Sequence, residues 1–120
     1  MAHLLVHVTH GADDPTRAAL AFLVARSAMQ EGHSVALFLA GDAVQLLRDE
    51  VLDSLQGLGT GALREHYDAI AAGGGRFYLS GNSSKARGIT KENLAGKPAE
   101  FALPSTLVTL SLEHDRVFTY

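Results

Sequence analysis

The sequence predicts a single domain, residues 1–120, folded as a three-layer α/β/α sandwich on a mainly parallel sheet of about five strands. Three observations support this prediction. Short apolar segments alternate with longer segments whose apolar residues recur at helical spacing. Turns rich in glycine separate these segments. The composition, 47% hydrophobic and 19% charged, is that of a globular chain with one hydrophobic core.

A strand, a helix and a second strand are predicted at the start of the chain. The segment 4–8 is almost entirely apolar or β-branched, as in a buried parallel strand. The pair Asp14-Pro15 then predicts a helix start, because aspartate caps free N–H groups and proline fits the first helical turn. Apolar residues at helical spacing extend this helix to Glu31, and the segment 34–40 predicts the second strand.

The middle of the chain predicts two helices and a third strand. An apolar seam over 44–58 predicts one helix, with Asp42 as its cap. The glycine-rich segment 57–61 interrupts this pattern, and we interpret it as a mobile loop. A helix over 62–72 and a strand over 76–79 follow.

The last third of the chain predicts shorter elements. They are, in order, short helices over 83–87 and 90–95, an edge strand over 99–103 and a final strand over 116–120. Pro104 suits the first position of a last helix. The β-branched residues within 106–112 are equally compatible with a strand, so both interpretations of that segment stay open.

Charge and composition argue against several function classes. The net charge is −3 and the ten basic residues are scattered, which does not predict a nucleic-acid surface. No apolar stretch reaches the ~20 residues of a membrane span. The chain has no cysteine, which excludes disulfides and thiol catalysis. Together with an N-terminal segment that does not resemble a signal peptide, this leads us to expect a cytoplasmic protein.

The six histidines do not predict a metal site. His3 and His7 lie on one face of the first predicted strand, but four residues of strand span ~13 Å, which is too far for one ion. No pair of histidines four residues apart lies on a predicted helix. We therefore predict no metal and no cofactor.

Several polar turns are expected at one edge of the sheet. Parallel strands joined by right-handed crossovers end at the same edge, where open α/β folds bind ligands. The predicted ligand-binding residues, called the rim below, are His10, Gly11, Asp42, Ser80, Gly81, Asn82 and Ser83. Their polar groups, with Lys85 and Arg87 nearby, would suit a small anionic ligand. The simpler alternative is that Asn82 or Ser83 only caps a helix and that the basic residues face solvent.

Ser80 and His10 also permit an enzyme hypothesis. A serine nucleophile needs a base within hydrogen-bonding reach, and His10 could be that base if the fold brings the two turns together. The local sequence Tyr78-Leu79-Ser80-Gly81-Asn82 lacks the first glycine of the G-x-S-x-G elbow. No third catalytic residue can be assigned, so a cysteine-free enzyme is the alternative to a binding protein.

Four segments resemble one known family, the DsrE-like proteins of sulfur oxidation and sulfur relay. The segment 6–22, VHVTHGADDPTRAALAF, is similar to the first strand, loop and helix of that family. The segment 30–44, QEGHSVALFLAGDAV, is similar to its second strand. The segment 78–89, YLSGNSSKARGI, resembles its third strand and cysteine loop, and 115–120, DRVFTY, its last strand.

The resemblance implies a flavodoxin-like or Rossmann-like α/β/α fold that assembles as a homo-oligomer, usually a trimer or hexamer. Active members of the family carry sulfur as a persulfide on the loop cysteine, whose position aligns with Ser80 here. A serine hydroxyl cannot form a persulfide and stays protonated at neutral pH. The resemblance therefore implies a non-catalytic ligand-binding or assembly subunit, whose expected partner is a sulfur-transfer protein or a small anionic ligand.

Overall fold

A five-stranded, entirely parallel sheet organises the computed structural model, which describes all residues 1–120. The strands of this sheet are β1 (His3–Val8), β2 (Ser34–Leu39), β5 (Arg76–Ser80), β6 (Ala99–Ala102) and β7 (Arg116–Thr119). A separate antiparallel hairpin consists of β3 (Gln56–Gly57) and β4 (Gly61–Ala62). The strand order in the main sheet is β6-β5-β2-β1-β7. The predicted α/β fold with a parallel sheet of five strands is confirmed.

Five α-helices and two 3₁₀ helices connect the strands. The α-helices are α1 (Pro15–Gln30), α2 (Asp49–Ser54), α3 (Leu63–Ala72), α4 (Gly81–Ala86) and α5 (Pro104–Glu113). The 3₁₀ helices are Gly41–Leu47 and Lys91–Leu94. No helix is both long and apolar enough to cross a membrane.

The two faces of the sheet are buried very unequally. One face packs against α1, α2 and α3 in a core of 25 buried residues, which includes Leu4, Val6 and Val8 of β1. On the other face only three residues form a buried cluster, and α5 covers them with Leu107 and Leu110. The alternation of side chains along a strand explains the division, since β1 presents Leu4, Val6 and Val8 to one face and Leu5 to the other.

The first helix begins as its sequence predicts. The Asp14 side chain accepts a hydrogen bond from the backbone N–H of Arg17, and Pro15 occupies the first turn. After the last turn of α1, Gly32 has a φ of +92°, a conformation that favours glycine. These local signals fix where the helix begins and ends, whereas its packing against the sheet depends on long-range contacts.

The predicted single helix over 44–58 is wrong. The segment forms a 3₁₀ helix, then an extended residue at Arg48, then α2. The break lets the Arg48 side chain donate hydrogen bonds to Gln45 Oε1 at 2.6 Å and to the carbonyl oxygen of Arg87 at 3.1 Å. Hydrophobic periodicity does not report such a tertiary contact. Asp42 does not cap this element, because Ala40 is its N-cap residue.

The glycine-rich segment 57–61, which we interpreted as a mobile loop, belongs to the β3–β4 hairpin attached to α1. The backbone N–H of Leu58 donates to Thr16 Oγ1 at 3.0 Å, and Thr60 Oγ1 donates to the Thr16 carbonyl oxygen at 3.3 Å. A Cβ atom at Gly57 would lie 3.0 Å from that of Ala19. A side chain at this position would therefore push the hairpin away from the helix.

The last third of the chain largely follows its sequence pattern. The 104–113 segment is helical from Pro104, which decides between the two interpretations left open for 106–112. Strand β6 lies at one edge of the sheet, as predicted, and β7 forms the other edge. The short helix predicted over 83–87 starts earlier, at Gly81, because Ser80 provides its cap.

Candidate functional site

The strand order separates the two turns that contain His10 and Ser80. All five strands run in the same direction, so they end at one edge, called here the carboxyl edge. Strand β2 lies between β1 and β5. Adjacent strands are about 4.8 Å apart, so the ends of β1 and β5 are about 10 Å apart. The Gly41-Asp42 turn after β2 occupies the space between them.

Ser80 is the N-cap of α4. Its Oγ accepts a hydrogen bond from the backbone N–H of Ser83 at 3.1 Å. Ser83 Oγ in turn accepts one from the backbone N–H of Gly41 at 2.9 Å. The cap is therefore Ser80 itself rather than Asn82 or Ser83, and Ser83 links the turn after β5 to the turn after β2.

An ion pair extends this network. Arg87 Nε donates to Asp42 Oδ1 at 2.9 Å, and Arg87 Nη1 donates to the Ser83 carbonyl oxygen at 3.2 Å. Gly11 packs against the same turn, since a Cβ atom at this position would lie 2.5 Å from the Asp42 carbonyl oxygen. Gly11, Asp42, Ser80 and Ser83 thus lie along one connected stretch of the carboxyl edge. The charge of Arg87 is already balanced by Asp42.

The side chain of His10 is held by residues of its own loop and of α1. His10 Nδ1 lies 2.9 Å from Asp13 Oδ2, and Arg17 Nη1 lies 3.2 Å from His10 Nε2. Arginine can only donate, so Nε2 is the acceptor and the ring proton is on Nδ1, donated to Asp13. This hydrogen bond from His10, followed by one from the Gly11 N–H at 2.7 Å, lowers the pKa of Asp13. No hydrogen bond joins His10 to Ser80.

Two hollows lie at the carboxyl edge, one beside His10 and one beside the Ser80 turn. The larger, about 700 Å³, contains His10 and Arg17 but none of the rim residues of the Ser80 turn; it is lined by Thr9, His10, Asp14, Thr16, Arg17, Leu20, Thr119 and Tyr120. The smaller, about 250 Å³, lies beside the Ser80 turn and is lined by Gly81, Ser84, Lys85, Ile89 and Phe101. Of the seven predicted rim residues, only His10 lines the larger hollow and only Gly81 the smaller one.

Some lining residues were outside the reach of sequence reasoning. Thr119 and Tyr120 reach the His10 hollow because β7 pairs with β1, a pairing that joins the two ends of the chain. Phe101 reaches the Ser80 side because β6 pairs with β5. Of these lining residues only Arg17 could have been suspected from the sequence, because it lies in the first turn of the helix predicted to begin at Pro15. Nowhere in the structure do three His, Asp or Glu side chains gather in a group that could hold a metal.

The family comparison agrees with this architecture. A model of the DsrE/DsrF-like family matches residues 2–120. The chain belongs to the DsrE/DsrF-like family. No curated protein sequence matches the chain significantly.

Solved structures share the fold of this DsrE/DsrF-like chain. The ychN protein from E. coli has a TM-score of 0.80 at 18% identity, with 100% of both chains covered. MTH1491 from Methanobacterium thermoautotrophicum, a protein of unknown function, has a TM-score of 0.75 at 17% identity, again with 100% of both chains covered. BT1422 from Bacteroides thetaiotaomicron has a TM-score of 0.72 at 11% identity, over 99% of this chain and 95% of that one. At these identities the likeness concerns the fold.

Proposed function

We propose that this DsrE/DsrF-like protein is a non-catalytic ligand-binding or assembly subunit related to sulfur-relay proteins, without persulfide-carrier activity of its own. The observation that carries the proposal is the chemistry of Ser80. By the resemblance of the segment 78–89 to the family's cysteine loop, this residue stands at the cysteine position, and its hydroxyl is engaged as the cap of α4. The chain has no cysteine that could take over the role. The proposed setting is the cytoplasm.

The proposed ligand contacts the rim: His10, Gly11, Asp42, Ser80, Gly81, Asn82 and Ser83. Asn82 is exposed, and its side chain makes no hydrogen bond within the chain, so its amide is available to a ligand. Lys85 lines the adjacent hollow and forms no salt bridge. These groups favour a small anionic or sulfur-containing molecule, or a matching surface of a sulfur-transfer protein.

A Ser80→Cys variant tests whether this turn retains the geometry of a sulfur-accepting loop. The Ser83 N–H that now donates to Ser80 Oγ would donate to a thiolate and lower the pKa of the new thiol. That thiolate would attack the outer sulfur of a small-molecule persulfide, forming a protein persulfide and releasing the donor as its thiol. We expect the variant to gain one sulfur atom by intact-protein mass spectrometry, and the unmodified protein to gain none.

Ser27→Cys is the matched control for this experiment. Ser27 is exposed in the last turn of α1, where the backbone N–H groups are hydrogen-bonded within the helix and no free N–H group stabilises a thiolate. It should therefore accept sulfur more slowly than the cysteine at position 80. Equal or faster transfer to position 27 in folded proteins would show that the turn has lost the family's geometry. Sulfur uptake by the cysteine-free protein would contradict the proposal that it is not a carrier.

A cysteine-free enzyme using Ser80 and His10 is the second candidate. One observation favours it: Asp13 orients His10 so that the lone pair is on Nε2, as in a base held by a carboxylate, although Arg17 now donates to that atom. It requires a movement that brings His10 from Arg17 to Ser80 across the width of β2. A serine-reactive phosphonate would then label Ser80, and labelling would have to disappear in His10→Ala. Failure of several such reagents to label Ser80 would rule this candidate out.

We also propose that the subunit assembles into a homo-oligomer, a trimer or hexamer as the family resemblance implies. Helix α5 has no buried residue, although it is largely apolar. The exposed apolar side chains on this side of the sheet are Leu103, Val108 and Leu112, with Val117 of the edge strand β7, whose register partner Leu5 lies on the face that α5 covers. Exposed apolar side chains grouped on one side of a domain are typical of protein interaction sites. We propose that a second copy of this chain covers this surface. In a closed symmetric assembly every subunit can then make the same α5–β7 contact.

A charge on this surface should break the assembly. Leu112 is 83% exposed in the single chain, so Leu112→Asp should leave the fold intact and shift native mass spectra towards smaller species. Leu58→Asp is the control, because Leu58 is 91% exposed at the tip of the β3–β4 hairpin, on the opposite face of the sheet. This surface is not the contact between subunits if both variants keep the oligomer size of the parent protein, or if only Leu58→Asp changes that size.

A further inference from the structure

A third cavity lies at the opposite edge of the sheet, where the strands begin. It has a volume of about 380 Å³ and is lined by Arg26, Met29, Gln30, Gly32, His33, Ala69 and Gly73. These residues come from the end of α1, from α3 and from the turns that lead into β2 and β5. The volume is within the range of small-molecule sites. None of the lining residues is acidic.

Arg26 brings a positive charge without a counterion to this cavity. The other half-buried arginines, Arg48, Arg64 and Arg87, each form a salt bridge with a carboxylate. Arg26 is equally half-buried but has no carboxylate within 4.0 Å, and its Nε is buried without any hydrogen-bond partner. A partly desolvated charge is costly when it stays unpaired, so this guanidinium favours an anion from outside the chain.

The two neighbouring histidines bring no negative charge to Arg26: His33 offers a donor to the cavity, and His66 offers Arg26 only a neutral acceptor. The backbone N–H of Ala2 donates to His33 Nδ1 at 3.0 Å, so neutral His33 carries its proton on Nε2, which has no partner in the chain. The buried His66 donates from Nε2 to the Thr60 carbonyl oxygen at 2.7 Å. Its Nδ1 therefore accepts from Arg26 Nη1 at 3.4 Å, which orients the guanidinium without neutralising it.

The carbonyl groups at the ends of α1 and α3 do not fully offset the positive charge of Arg26. A helix C-terminus normally presents free carbonyl oxygens that favour cations. Here the carbonyl oxygens of residues 27–29 in α1 accept hydrogen bonds from the backbone N–H groups of Glu31, Gly32 and His33. Those of residues 69–71 in α3 accept from the three glycines at 73–75. Most terminal carbonyl groups are thus already paired within the turns.

We propose that this cavity binds the oxyanion group, phosphate or carboxylate, of a small molecule. Arg26 supplies the charge and part of a bidentate donor set, and Gln30 and the His33 Nε2–H supply further donors. Met29 and Ala69 provide an apolar wall for the remainder of the ligand. The site is separate from the Ser80 rim, since the two lie at opposite edges of the sheet, and it does not depend on the function proposed for that rim.

Titration of the isotope-labelled protein with inorganic phosphate and with acetate tests the site by NMR. We expect saturable shifts of the His33 ring and Gly73 amide signals. Arg26→Gln should weaken binding about tenfold or more, as for loss of a charge-assisted hydrogen-bond pair. Arg116→Gln is the matched control, because Arg116 is an exposed arginine on β7 that also lacks a salt bridge. It removes the same charge and should leave binding unchanged.

Each result of these titrations either supports the proposed oxyanion site or overturns it. Tighter binding of phosphate assigns a phosphate ligand, and tighter binding of acetate assigns a carboxylate. If Arg26→Gln does not fold, Arg26→Lys replaces it; lysine keeps the charge without the planar fork, and we expect weakened binding there too. The proposal is overturned if neither probe gives saturable shifts, or if the variants at positions 26 and 116 weaken binding equally.

Discussion

Replacing Phe77 by alanine should lower the free energy of unfolding by about 3–5 kcal/mol, the usual cost of deleting a buried aromatic ring. Phe77 is fully buried near the start of β5, between Phe22 of α1 and Tyr67 of α3. The ring centroids are 5.7 Å and 5.3 Å apart, so removing one ring leaves a cavity among three structural elements. Urea unfolding followed by circular dichroism measures the loss.

Phe118→Ala is the matched control for the Phe77 variant. Phe118 lies on the edge strand β7 and is 38% exposed, so folding buries much less of its ring than of the Phe77 ring. We expect its loss to be smaller, roughly half or less of the loss for Phe77→Ala. Equal losses would mean that the aromatic cluster on β5 does not hold the sheet to α1 and α3. The result matters for the rim, because β5 is the strand that presents Ser80.

Gly11→Ala should destabilise the protein by about 1–3 kcal/mol, the usual cost of overpacking. The added Cβ would lie 2.5 Å from the carbonyl oxygen and 3.0 Å from the carbonyl carbon of Asp42. Both are backbone atoms, so the turn after β2 must move as a unit. That movement would strain the hydrogen bond from Gly41 to Ser83. The thermal unfolding midpoint gives the size of the effect, and NMR amide shifts of Gly41 and Ser83 show whether it spreads along the rim.

Gly81→Ala is a control within the same rim. A Cβ atom at Gly81 would have ordinary contact, 3.5 Å from the Ala102 carbonyl oxygen, and Gly81 does not have a positive φ. Alanine also favours the first turn of α4 more than glycine does. We expect stability to be unchanged or to rise by up to about 1 kcal/mol. A loss for Gly81→Ala as large as that for Gly11→Ala would show that close backbone approach is not the cause.

The candidate site could be predicted in part. Placing Asp42, Ser80 and Ser83 at one edge followed from the parallel sheet alone, and the structure connects them by hydrogen bonds and the Arg87 ion pair. The identity of the N-cap could not be predicted, because Ser80, Asn82 and Ser83 are all capable caps. The Ser83 hydroxyl is not available as a cap because it accepts a hydrogen bond from the backbone N–H of Gly41, 42 residues away in the chain.

The sequence by itself determined the elements of this protein whose causes are local. The start of α1 at Asp14-Pro15 and the alternation of strands and helices that makes a parallel sheet both depend on residues close together in the chain. The resemblance of four segments to the DsrE-like proteins belongs with them, since the family model matches the chain over 2–120.

Only the tertiary structure decided which side chains meet. Insertion of β2 between β1 and β5 separates His10 from Ser80, and pairing of β7 with β1 brings the last residues of the chain to His10. The lack of a counterion at Arg26 is equally a result of packing. Hydrophobic periodicity specifies which face of an element is buried, whereas strand order and ion pairing depend on contacts between distant parts of the chain.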